Sequence, residues 1–211
     1  GVLLEPIQGE AGVLIPPDGY LRRVRDICSR RDVLFCADEI QTGLGRTGKM
    51  LCVEHEAVVP DLVVLGKALS GGFYPISALA GKEEVLSLFT PGTHGSTFGG
   101  NPLASAIGLA ALNVLVSERL PARAAKLGAT FLQHLQSLED PRILETRGRG
   151  LLLAIEFKQP LAKAFCKALM KNGLLAKDTH QTTVRFAPPL IITESQLQAA
   201  FGVIRRTLTA F

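Results

Sequence analysis

A lysine at position 67 stands between "DLVVLG" and "ALSGG", with no charged neighbour for five residues on either side. Apolar, glycine-bounded surroundings disfavour an ammonium charge by loss of water, and an uncharged amine is what attack on a carbonyl carbon requires. A solvated loop is the commoner fate of a lysine. Asp38 follows the apolar run "VLFCA" (33–37). It could be a cap or an ion-pair partner. A carboxylate there could also hold a pyridine nitrogen protonated, so that the ring accepts electrons from a carbanion. Gln41 is placed to reach polar substituents of the same ring. "HGSTFGG" offers backbone N–H groups and the hydroxyls of Ser96 and Thr97 to a phosphate, and taken alone reads equally well as a surface turn. Arg185, between Val184 and Phe186 in "TVRFAPPL", is an edge charge if exposed and a two-pronged carboxylate ligand if buried. Glu5 and Glu10 join these residues as polar groups near the ends of apolar runs. The four histidines, His55, His94, His134 and His180, lack metal-ligand spacing, and no metal is expected.

"TGLGRTGKM" (42–50) competes for attention. Gly43, Gly45 and Gly48 fit a dinucleotide fingerprint, and Gly43, Gly48 and Lys49 nearly complete a phosphate-cradling loop. The latter fails at Met50, where a hydroxyl must bind Mg²⁺. The former fails because "DEIQT" separates the strand from its first glycine, and Asp61 precedes a strand instead of ending one. The glycines are expected to turn the chain away from Asp38, with Lys49 an ordinary surface residue.

The elements that must position these residues alternate between apolar runs and helical patterns, which predicts an α/β fold with a mainly parallel sheet. Strands are expected in 2–7, 33–37, 61–66, 76–81, 150–157, 174–177 and 183–190. Helices are expected in the segment 16–31 with Asp18 as a possible N-cap, over about 103–138 with a break at Pro121, over 160–173 closed by Gly173, and from Thr193 to the end. The texture changes near residue 139, dividing the chain into domains at 1–138 and 139–211. The net charge of +4 carries no basic run, so nucleic acid is not an expected partner. The longest apolar stretch, "LASAIGLAALNVLV", is shorter than the ~20 residues needed to span a bilayer, and no membrane partner is expected. The four cysteines have no C-x-x-C spacing and read as reduced thiols.

Five ordered motifs, "EPIQGEAG", "ADEIQTGLGRTG", "LGKALSGG", "HGSTFGGNPLA" and "VRFAPPL", resemble those of class III aminotransferases of fold type I, which depend on pyridoxal 5'-phosphate. The resemblance runs from Gly1 to Phe211 and implies part of the large domain followed by a small α+β domain. It implies that Lys67 joins the cofactor and moves the substrate proton, that Asp38 pairs with the ring nitrogen and that Gln41 contacts the ring hydroxyl. By the same resemblance Ser96 and Thr97 hold a neighbouring subunit's phosphate, so a homodimer is implied, with amino acid and 2-oxo acid substrates. Arg185 then binds the α-carboxylate of the oxo acid, and Glu10 pairs with Arg185 while an ω-amino donor is bound. "NGLLAKDTH" followed by "VRFAPPLIIT" resembles the branch of the family that acts on ornithine. An acetylornithine or other ω-amino donor is the alternative, and a catalytically silent fragment is another.

The first residues lie directly in a strand-like run, which raises the expectation of a fragment. The family's glycine-rich phosphate-binding helix start and its ring-stacking aromatic residue would lie upstream of Gly1, supplied in a separate N-terminal half or lost by truncation. A cytoplasmic or mitochondrial matrix location is expected, with the targeting end outside these residues.

Overall fold

Three of the apolar runs become the parallel strands β1 (Val2–Leu4), β2 (Phe35–Asp38) and β3 (Leu62–Leu65) in a computed structural model that describes residues 1–211. A fourth strand, β4 (Ala78–Gly81), adds to β3 in the antiparallel sense, so the sheet of order β1-β2-β3-β4 is mixed. Helix α1 (Tyr20–Arg30) links β1 to β2. It buries Leu21 and Cys28 against Phe35, Ala37, Val53 and Val58. Its N-cap is Gly19, in a left-handed conformation with φ 76° and no side-chain cap, so the expected cap at Asp18 is displaced by one residue.

Asp61 ties this sheet together. Its buried carboxylate accepts from the Phe35 N–H at 2.8 Å, from Arg25 at 2.6 Å and from Lys82 at 2.8 Å. Burial alone would raise its pKa, but Lys82, the Phe35 amide and Arg25 together hold the carboxyl well below the usual carboxylate range. The residue that sat near a nucleotide acid's position is a structural anchor. After β4 come the single-turn helix α2 (Glu83–Leu86) and helix α3 (Pro102–Ser117). The Asn101 side chain caps α3 by accepting from the Ala104 N–H, with Pro102 in the first turn.

The helical stretch is broken as expected, just before Pro121. It stops at Ser117 and restarts as α4 (Leu120–Gln136), with Pro121 inside the first turn of the second helix, where a missing N–H costs nothing. Beyond it lie β5 (Ile143–Arg149), β6 (Leu152–Phe157), α5 (Ala162–Lys171), β7 (Lys177–Thr179), β8 (Thr183–Phe186) and α6 (Glu194–Ala210). The four strands make a wholly antiparallel sheet of order β5-β6-β8-β7. Gly173 follows α5 at φ 83°, and Thr193 with Gln196 forms a capping box at α6.

Strand alternation gives this second sheet two unlike faces. Leu153, Ile155, Val184 and Phe186 point into a core with Phe131, Leu135, Phe165 and Ile204. Across the other face run two rows of paired residues, Arg147–Ala154–Arg185–Lys177 and Glu145–Glu156–Thr183–Thr179.

The chain forms two compact units built from interleaved segments. One comprises Gly1–Pro6, Pro16–Gly45 and Lys49–Arg119; the other comprises Ile7–Ile15, Arg46–Gly48 and Leu120–Phe211. The expected boundary after residue 138 falls inside the second unit. No single helix is long and apolar enough to cross a membrane.

Candidate active site

In the first unit the sheet register brings Asp38 and Lys67 to one edge. Asp38 is the last residue of β2 and pairs with Val64 of the parallel neighbour β3, which ends one residue later; Gly66 and Lys67 follow. The carboxyl ends of parallel strands are where such sheets present ligand-binding groups. Asp38 is half-buried, and its Oδ1 accepts from the Ile40 N–H at 3.0 Å, which turns the chain off the strand. Gln41, half-buried, lies in that turn.

Lys67 departs from expectation in its surroundings. It is exposed, so these residues alone do not supply the burial on which the desolvation argument rested. Its backbone carries a signal that the sequence did not show: φ is 41°, in the left-handed region that side chains other than glycine seldom occupy. Strain of this kind persists where surrounding structure enforces it, and it gathers at functional sites. Here Lys67 opens a single 3-10 turn (Lys67–Ser70), closed by the Leu69 N–H on the Gly66 carbonyl at 3.0 Å. Helix α3 packs against this turn, with Gly108 facing the Leu69 carbonyl.

Glu39, next to Asp38, is a buried residue that the sequence reading passed over. Its carboxylate accepts from the Thr42 hydroxyl at 2.5 Å and from the Val53 N–H at 2.9 Å. It thereby fixes the start of the glycine-rich loop to the 3-10 turn Cys52–Glu56. Burial pushes its pKa up, and the Thr42 and backbone hydrogen bonds only partly offset that. Gly43 is required beside it, because a Cβ would stand 2.8 Å from the Glu39 carbonyl oxygen. Lys49 is exposed. The glycines thus shape a turn after Asp38, as expected. Ser96 and Thr97 stand in an exposed loop, where Ser96 Oγ accepts from the Gly99 N–H at 3.2 Å.

In the second unit, Glu10 and Arg185 meet although 175 positions separate them: Arg185 Nη1 lies 2.7 Å from Glu10 Oε1 and also donates to the Gly9 carbonyl at 3.2 Å. The Arg185 side chain is only 15% exposed, against 65% for Glu10. A shielded guanidinium with an exposed anionic partner is equipped to exchange that partner for a substrate carboxylate. Glu5 is half-buried beyond β1.

The comparisons with known proteins decide the family. The family described as "Aminotransferase class-III" matches residues 1–208. The chain belongs to the class III aminotransferases. A protein named ornithine aminotransferase from Exiguobacterium sp. is 54% identical over 206 residues, which is 98% of this chain and 51% of that protein. The chain thus spans about half the length of the curated relatives it matches. Among solved structures, an ornithine aminotransferase from Plasmodium yoelii superposes with TM-score 0.95 at 50% identity, covering 99% of this chain and 56% of the other. An acetylornithine aminotransferase from Elizabethkingia anophelis gives 0.96 at 49% identity, covering 99% and 54%. The fold is that of fold type I aminotransferases, as expected.

Class III aminotransferases use pyridoxal 5'-phosphate, and the donor set in the first unit suits that group. Lys67 carries a primary amine that could join its aldehyde, Asp38 a carboxylate that could face its ring nitrogen, and Gln41 an amide that could meet its ring hydroxyl.

Proposed function

We propose that this chain carries the lysine-bearing and carboxylate-binding part of an ornithine aminotransferase. That enzyme would move the δ-amino group of L-ornithine to 2-oxoglutarate, giving glutamate 5-semialdehyde and glutamate. The observation that carries this reading is the 2.7 Å pair between Glu10 and Arg185. The bound cofactor supplies an aldehyde to carry the amino group and a ring that accepts electrons. Lys67 would hold the cofactor through its amine and, once the substrate's amine has displaced it, would take and return the proton at the carbon that bears the transferred nitrogen. Asp38 keeps the ring nitrogen protonated, and Gln41 orients the ring.

Arg185 and Glu10 choose which amine reacts. While Glu10 occupies Arg185, an incoming diamino acid finds no free cation for its α-carboxylate and enters with its distal amine forward. In the second half-reaction the carboxylate of 2-oxoglutarate takes the place of Glu10. A carboxylate as exposed as Glu10 gives up its ion pair at small cost.

Ser96 and Thr97 belong in this reading to a segment covered by a second subunit. Large exposed apolar residues of the same unit, Phe73, Leu88, Phe89, Phe98 and Leu103, support a covered face. The phosphate-binding helix start and the ring-stacking aromatic would come from outside residues 1–211. Four cysteines with no disulfide among them suit a reducing compartment such as the cytoplasm or mitochondrial matrix.

A second reading, N-acetylornithine as donor, is favoured by the resemblance to the Elizabethkingia structure. Borohydride reduction of cofactor-loaded protein, followed by peptide mass mapping, should place a pyridoxyl group on Lys67. A comparison of kcat/KM for ornithine and N-acetylornithine then separates the donors. A pyridoxyl group on another lysine overturns the assignment of Lys67, and a preference for N-acetylornithine overturns ornithine.

A further inference from the structure

We infer that Arg147 and Thr179 are positioning residues that clamp the backbone of the Gly9–Val13 turn, so that Arg185 is freed by rotation of the Glu10 side chain and not by movement of the turn. The role rests on the reading of Glu10 and Arg185 as the substrate gate.

The turn lies against the polar face of the second sheet. Arg147 and Arg185 belong to the same row of paired residues, with the small Ala154 between them, so both guanidinium groups reach the turn. Arg147 is 9% exposed, and it spends its donors on two kinds of partner. Its Nε donates to the carbonyls of Gly12 and Val13, each at 3.1 Å, and Nη2 donates to Gly12 at 2.7 Å. Its Nη1 lies 2.5 Å from Glu156 and 3.1 Å from Glu145, which fix the guanidinium from behind. Thr179, from the second row, donates its hydroxyl to the Glu10 carbonyl itself.

The turn needs such a clamp because its conformation is costly. Val13 is β-branched, fully buried and at φ 57°, and Gly12 is at φ 115°. A Cβ on Gly12 would stand 3.3 Å from Arg147 Nη2. The turn's own bonds are few: the Gly12 and Val13 N–H groups share the Gly9 carbonyl at 3.3 Å, and Gln8 pairs with Leu14. With the carbonyls of Glu10, Gly12 and Val13 each held from the sheet, the exposed Glu10 side chain is the part of the gate left to rotate.

Hydrogen exchange on the 211-residue chain reads the clamp without reference to activity. Arg147→Lys keeps a positive charge beside Glu145 and Glu156 but cannot bridge both carbonyls; Thr179→Val removes only the bond to Glu10. Both variants should raise exchange at the Gly12, Val13 and Leu14 amides about tenfold, with β6 and α5 unchanged. Unchanged exchange in the turn, or a rise shared by β6 and α5, overturns the clamp. In the active enzyme, Arg147→Lys should raise KM for the diamino donor several-fold, leave kcat within about twofold and not raise KM for the 2-oxo acid. Glu10→Ala should likewise raise the donor KM, and combining it with Arg147→Lys should add nothing further to that rise. Additive effects would mean that Arg147 acts elsewhere. Local loosening in these variants, with a wild-type protein that accepts no amino donor, would leave the clamp standing and remove the function proposed above.

Discussion

Replacing Glu10 with alanine should tighten the binding of a 2-oxo dicarboxylate, and the structure sets how far. The acid pairs with Arg185 at 2.7 Å, a full-strength geometry, but its side chain is 65% exposed while the arginine's is 15%. A pair with one partner in water is worth about 0.5–1 kcal/mol after screening and the entropy of holding the long side chain. Any carboxylate that binds Arg185 must first displace Glu10 and forgo that amount. Its removal therefore predicts a Kd for 2-oxoglutarate lower by about 2–5-fold, at 1.4 kcal/mol per tenfold. Calorimetric titration of cofactor-loaded enzyme measures this directly. The gain should shrink in ~0.5 M salt, where an exposed pair is screened. Weaker binding in the variant would show that Glu10 does not compete for Arg185. A gain beyond about 100-fold would show a buried lock, incompatible with the exposure of Glu10.

Asp61→Asn should destabilise the first unit by about 2–4 kcal/mol, because Arg25 is left partly buried without its counter-ion. For a chain of this size that lowers Tm by about 4–16 °C, measurable by circular dichroism. The Asp61 carboxyl is depressed in the folded chain, so its contribution is full above the unfolded value of about 3.9 and fades as pH falls through the folded value; the two proteins should converge in acid. Glu39→Gln should stay within about 1 kcal/mol of wild type near neutral pH, since burial already disfavours the charge, whereas Glu39→Ala should cost about 2–4 kcal/mol by orphaning Thr42 and the Val53 N–H. Equal losses in both would show that the charge itself is needed. Gly43→Ala should cost about 1–3 kcal/mol through the clash with the Glu39 carbonyl, read by chemical denaturation.

The parts of the site that sit where strands end were legible in the sequence. Asp38 and Lys67 follow unbroken apolar runs, and a parallel sheet places such ends on one edge. The pairing of Glu10 with Arg185 was accessible only through family resemblance, because 175 positions separate them and neither is unusual locally. Arg147 was invisible for a different reason. "ILETRGR" sets its charged residues against only Thr146 and Gly148, and it forms β5, whose Arg147 is covered by the Gly9–Val13 turn. No local pattern announces that covering. The antiparallel addition of β4 was equally hidden, since "ISALAG" carries no mark of direction. Nor could composition report the left-handed backbone of Lys67.

The central claim is that Arg185, masked by Glu10, makes a diamino acid surrender its distal nitrogen. The most direct test uses ornithine labelled with ¹⁵N at the δ position and 2-oxoglutarate, with the enzyme that carries this chain, and follows the label by mass spectrometry. The account predicts that glutamate acquires the label and that the ornithine-derived product loses it. Unlabelled glutamate, with the label retained in the oxidised product, would show that the α-amine is transferred and would contradict the account.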